Sequence, residues 1–80
     1  MTEAEIKQKL TAIFRSVFDN DSIEISEATT AKDIEGWDSL THVNLIVAVE
    51  KGFKISFTTK EVMALQTAGD LMRLIASRCN

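Results

Sequence analysis

The chain has 80 residues, no proline, three glycines, one cysteine and a formal net charge of −3. A chain of this length buries somewhat more than about 60% of its unfolded surface, enough for one modest core, so a single domain over residues 1–80 is expected, acting as a binding or carrier module rather than as a self-contained enzyme. There is no basic block to bind nucleic acid, no apolar run long enough for membrane insertion and no basic-then-apolar signal pattern in Met1-Thr2-Glu3-Ala4-Glu5; a monomeric cytoplasmic protein is expected.

The first segment runs from about Glu3 to Phe18. Thr2 and Glu5 have the spacing of a capping box, in which each side chain satisfies a free backbone N–H of the first turn. Ile6, Leu10, Ile13, Phe14 and Val17 then recur at helical spacing, with Lys7, Lys9 and Arg15 off that stripe. A long loop is expected from Asp19 to Trp37, opened by the helix-stopping run Asp19-Asn20-Asp21-Ser22. Loops of this length in small domains are often functional. Ile23, Ile25 and Ile34 are expected to pin it to the core, with a short helical turn from Thr29 to Ile34.

The third segment, about Ser39 to Lys51, follows Asp38, a good N-cap. Leu40, Val43, Leu45, Ile46, Val47 and Val49 make it apolar on more than one face. Such a helix is either central to the core or shows part of its surface to a partner. Gly52 reads as the residue that ends it, and Phe53, Ile55 and Phe57 then alternate across an extended link. Thr58 and Glu61 form a second capping-box spacing ahead of Val62, Met63 and Leu65. A third, Thr67 to Asp70, precedes Leu71, Leu74 and Ile75, with Arg73 and Arg78 on the polar face and C-terminal end. Three longer helices and one short one predict an all-α fold, a small four-helix bundle with a long loop between helices 1 and 2. Cys79 has no partner for an internal disulfide and is expected to be incidental.

The candidate for chemistry lies in Gly36-Trp37-Asp38-Ser39-Leu40. Ser39 is expected to be exposed, at the positive end of a helix dipole that favours a phosphate anion. Asp38 is placed to help position a modifying enzyme and its metal ion. Serine is also common at helix starts for capping alone, and from residue chemistry by itself that plain reading stands beside the functional one. Leu40, Val43 and Val47 share one face, as an apolar strip for partners or as core. Leu45, Ile46 and Val49 are the stronger core candidates. His42 follows Ser39 by three residues, but no carboxylate is placed to orient a Ser–His pair and no oxyanion hole is evident. An exposed or partner-facing histidine is expected, with Trp37 packed over the loop. No metal site and no catalytic residue are expected.

Asp38-Ser39-Leu40, followed by the apolar helix Val43-Asn44-Leu45-Ile46-Val47-Ala48-Val49-Glu50 and then Phe53 and Ile55, resembles the attachment region of acyl carrier proteins. The first helix, the long loop, the link into a short helix and Thr67-Ala68-Gly69-Asp70-Leu71 also fall where that family has them. The resemblance implies that Ser39 receives 4′-phosphopantetheine from coenzyme A, its oxygen attacking the β-phosphate. A holo-carrier-protein synthase, a phosphopantetheinyl transferase, would perform the transfer. The arm's thiol would hold acyl groups as thioesters for acyl-loading, condensing and acyl-transfer enzymes of fatty-acid, polyketide or related lipid biosynthesis. A flexible arm raises the cargo's effective concentration at each partner; the cofactor brings the reactive group and the protein brings attachment, recognition and shielding. Asp38 is then a helix cap and transferase-recognition residue, Leu40, Val43 and Val47 bind partners, and Leu45, Ile46 and Val49 could also line a cavity for the acyl chain.

The match departs from the strongly acidic fatty-acid carriers at Thr41 and Asn44, where acidic residues are common, and Lys51 and Lys54 offset Glu50. This fits a specialised stand-alone carrier and predicts partner binding that depends weakly on salt. Two alternatives share the helical fold: an aminoacyl or peptidyl carrier of a nonribosomal-peptide-type pathway, and a non-covalent helical interaction module. Asp-Ser-Leu also resembles the motif of a family of serine esterases, whose larger α/β domain has no counterpart here.

Overall fold

Reciprocal side-chain bonds set where the helices begin in the computed structural model, which describes residues 2–78. Helix α1 (Glu3–Val17) starts on Thr2: its hydroxyl accepts from the Glu5 N–H, and the Glu5 carboxylate accepts from the Thr2 N–H. The second helix, α2 (Ser39–Phe53), is capped by Asp38. The pattern of α1 recurs with Thr58 and Glu61 at α3 (Thr59–Ala64) and with Thr67 and Asp70 at α4 (Ala68–Arg78). The fold is all-α, as its hydrophobic periodicity predicts; among the described residues the one extended pairing is an isolated bridge between Thr30 and Thr67.

These caps carry a pH dependence. The carboxyls of Glu5, Asp38, Glu61 and Asp70 are held below their ordinary values, chiefly by the backbone N–H groups of Thr2, Thr41, Thr58 and Gln66 respectively. A depressed carboxyl contributes stability that is complete above its unfolded value and is lost as pH falls through its folded one. The ordinary values are 4.5 for glutamate and 3.8 for aspartate. The thermal midpoint is therefore expected to fall once the pH drops into and below that range. Melting curves across acid pH check this, and a midpoint unchanged there would contradict it.

Ile6, Leu10 and Phe14 form the buried face of α1, which packs on α2 and α4. Leu45, Ile46, Val49 and Phe53 of α2 and Leu71 and Ile75 of α4 meet them. Ile23, Ile25 and Ile34 anchor the long loop in the same core. Each such side chain contributes about 1.5–3 kcal/mol on burial, which is what orders a loop with little secondary structure of its own. The loop is also tied to the start of α4: the Ala68 N–H donates to Thr29 O at 2.8 Å and the Gly69 N–H to Glu27 O at 3.1 Å. Hydrogen-bonded turns, Asp33 N–H to Thr30 O and Trp37 N–H to Ile34 O, replace the helical turn expected there.

The end of α2 differs from the sequence expectation. Gly52 does not stop the helix, which runs on to Phe53. A Cβ on Gly52 would lie 2.9 Å from Ile13 Cδ1, so this glycine serves the close approach of α1 and α2. The chain turns instead at Lys54, in the left-handed region at φ 57°, and the N–H groups of Lys54 and Ile55 both donate to Glu50 O. A non-glycine residue there costs about 1–2 kcal/mol. Burial of Phe53, with the Lys9 ammonium 5.0 Å from its ring centroid, offsets that cost. Phe53 thus belongs to the helix, while Ile55 and Phe57 occupy the link half-buried. Cys79 lies outside the described residues.

Candidate functional site

The first turn of α2 is held from both sides. Asp38 Oδ1 accepts from the N–H groups of Leu40 and Thr41, each at 3.0 Å, and Asp38 O accepts from the His42 N–H at 2.8 Å. The Thr41 hydroxyl accepts from the Asp38 N–H at 2.8 Å and donates to Gly36 O at 2.6 Å. Gly36 stands at φ +90°, a conformation that favours glycine and turns the loop into Trp37. Sequence reasoning overlooked the structural part of Thr41, although Asp-x-x-Thr is itself a capping spacing. The amides around Asp38, that of Thr41 first, hold its carboxyl below the ordinary range, so it is ionised at neutral pH.

Ser39 is the first residue of α2 and is exposed. The Leu40 and Thr41 amides are already engaged by Asp38. A phosphate on Ser39 would therefore stand in solvent beside the helix end, within the field of the dipole, rather than in a ring of free amides.

Trp37 packs edge-on against Phe14, with centroids 5.2 Å apart and planes at 88°, and lies 6.3 Å from Phe18. His42 departs from expectation: it is half-buried. The Trp37 Nε1–H donates to His42 Nδ1 at 3.1 Å, and His42 Nε2 lies 3.4 Å from Val62 O. Its two nitrogens face Trp37 and α3, so no Ser–His pair is assembled. Both contacts join residues on different elements, which a helical spacing rule does not reach.

An open groove of about 580 Å³ lies beside Ser39. Asp38, His42 and Val43 line it from α2 and its cap, Trp37 from the loop, and Val62 and Met63 from α3. Leu45, Ile46 and Val49 are buried in the core, and none of them lines this groove. On the outer face of α2, Leu40 is 76% exposed, Val43 57% and Val47 44%, and Met63 of α3 is 80% exposed. Met63 stands among apolar neighbours in the sequence, and a six-residue helix offers too few turns for periodicity to show which side chain faces out. Among the described residues no cluster of three or more His, Cys, Asp or Glu could hold a metal ion, and no helix is long and apolar enough to cross a membrane.

The family model for the phosphopantetheine attachment site matches residues 8–75. An acyl carrier protein of Prochlorococcus marinus (strain MIT 9515) is 28% identical over 78 residues, covering 98% of this chain and 98% of that protein. The solution NMR structure of a holo acyl carrier protein from Geobacter metallireducens matches with a TM-score of 0.85 at 47% identity, covering 90% of this chain and 83% of that one.

Proposed function

The chain belongs to the phosphopantetheine-attachment family as an acyl carrier protein, and we propose that Ser39 is the residue through which it holds its 4′-phosphopantetheine arm. The observation that carries this reading is the setting of Ser39: an exposed hydroxyl at the start of a rigidly capped helix, beside an ionised Asp38 and at the edge of an open groove. These residues fit the group, since the hydroxyl can be approached from solvent and the groove lies alongside it. In the loading reaction Ser39 Oγ attacks the β-phosphorus of coenzyme A. A serine–phosphate bond forms as the bond to 3′,5′-ADP breaks, and the serine proton passes to the transferase. Asp38 holds the first turn of α2 in register and offers a carboxylate to the transferase's divalent ion. Once bound, the arm supplies a thiol that carries acyl groups as thioesters.

One carrier domain over residues 1–80 then works in the cytoplasm as a substrate and partner of enzymes, with no catalytic residue of its own. Its partners are a phosphopantetheinyl transferase and the acyl-loading, condensing and acyl-transfer enzymes of fatty-acid, polyketide or related lipid biosynthesis. The few acidic groups along α2 favour a specialised pathway over a highly acidic housekeeping carrier. Leu40, Val43 and Val47 form the partner-facing strip. Val43→Asp should slow loading or acyl transfer about fivefold or more, the effect of losing ~1 kcal/mol at a docking contact, while leaving the thermal midpoint in place because Val43 is exposed. An unchanged rate would remove Val43 from the contact.

Tryptic mapping of the loaded protein tests the attachment site. Cleavage after Lys32 and Lys51 releases residues 33–51, in which Ser39 is the one serine. The added phosphopantetheine is expected on that peptide, and its recovery on any other would refute the assignment.

A further inference from the structure

We propose that His42 is a positioning residue: as a neutral imidazole carrying its proton on Nε2, it ties Trp37 and α3 to the first turn of α2 and sets the width of the groove beside Ser39. The tautomer follows from the partners. An indole N–H only donates, so His42 Nδ1, 3.1 Å from Trp37 Nε1, must be the acceptor. The single ring proton of a neutral imidazole then sits on Nε2, which faces the Val62 carbonyl at 3.4 Å. The ring planes differ by 22° and the centroids are 6.0 Å apart. That is the side-by-side arrangement of an in-plane N–H···N bond and too wide for face-to-face contact.

The three tied elements are the three that wall the groove. Trp37 belongs to the long loop and leans on Phe14, so the bond links the groove to the core of α1. Val62 belongs to α3, a six-residue helix with no buried residue of its own. Its carbonyl also accepts from the Leu65 N–H at the end of that helix. Val62 packs half-buried against the core and Glu61 pairs with Arg78 of α4, and the polar tie to α2 adds a further hold on this short helix.

The use of this groove by an arm or cargo rests on the carrier reading, but the test does not, because it is made on the unmodified protein. The chain has one histidine and one tryptophan, so each signal is unambiguous. Nitrogen-15 NMR of the wild-type protein at about pH 8 should show the Nε2–H tautomer. In His42→Ala, the Trp37 indole N–H and the Val62 and Met63 amides should all shift from their wild-type positions, because both ends of the tie are lost. In His42→Gln, which keeps an acceptor and a donor, those shifts should be smaller. An Nδ1–H tautomer, a His42→Ala variant that leaves Trp37 and α3 unmoved, or a glutamine variant that shifts as far as the alanine one would each overturn the proposal.

Discussion

Phe14→Ala should remove a large share of the protein's stability. Phe14 is fully buried on α1 and carries the edge-on contact with Trp37. Truncating a buried phenylalanine to alanine costs about 3–5 kcal/mol, through lost burial and the cavity left behind. A chain of 80 residues has a total stability of about 4–12 kcal/mol, so the loss is a large share of the whole. At ~4–8 °C per kcal/mol for a domain this small, the thermal midpoint should fall by more than about 10 °C. The damage is also expected to reach the functional end of the molecule. Trp37 lines the Ser39 groove, and without the Phe14 ring it loses its principal aromatic support. Trp37 emission should shift toward that of solvent-exposed indole before the main unfolding transition. A loss below about 1 kcal/mol would mean that the core closes around the gap and that Phe14 is not the central packing residue.

Gly69→Ala should destabilise the protein, while the same change at Gly52 should be close to neutral. An added Cβ at Gly69 would lie 2.6 Å from Glu27 O and 2.9 Å from Glu27 Cα, both backbone atoms of the loop. The loop has to move away, which strains the Gly69–Glu27 and Ala68–Thr29 hydrogen bonds that fasten it to α4. Overpacking of this kind costs typically 1–3 kcal/mol, and the helical preference of alanine over glycine returns only about 1 kcal/mol at most. At Gly52 the near atom is Ile13 Cδ1, the far end of a side chain that can rotate. There the helical preference, about 0.5–1 kcal/mol, roughly cancels the repacking. Chemical denaturation of the two variants side by side checks the contrast. Equal effects would mean that the loop yields as readily as the isoleucine.

The two glycines also mark how far the fold could be read from the chain. The starts of all four helices were legible in Thr2, Asp38, Thr58 and Thr67, because capping is chemistry between residues three apart. So were the anchoring isoleucines of the loop, since Ile23, Ile25 and Ile34 are large apolar groups in a polar stretch. The end of α2 was not. Gly52 has the residue type of a helix stop, but its role is set by Ile13 on another helix, and the stop fell to Lys54. The site divides in the same way. Asp38-Ser39-Leu40 was visible as a capped helix start, and the resemblance of the surrounding pattern pointed to its use. Whether Leu40, Val43 and Val47 face out or in depends on how α2 is rolled against α1, which a helix apolar on both sides does not declare. The place of His42 was hidden for a stronger reason: its partners are Trp37 across the loop junction and Val62, twenty residues further on.

That Ser39 bears the arm can be checked by intact mass. Wild-type protein and Ser39→Ala would each be incubated with coenzyme A, magnesium and a broad-specificity phosphopantetheinyl transferase, with circular dichroism confirming that both are folded. The wild-type chain should gain the mass of one phosphopantetheine and the variant none. A folded wild-type chain that gains nothing, or a variant that gains as much as the wild type, would mean that Ser39 does not bear the arm.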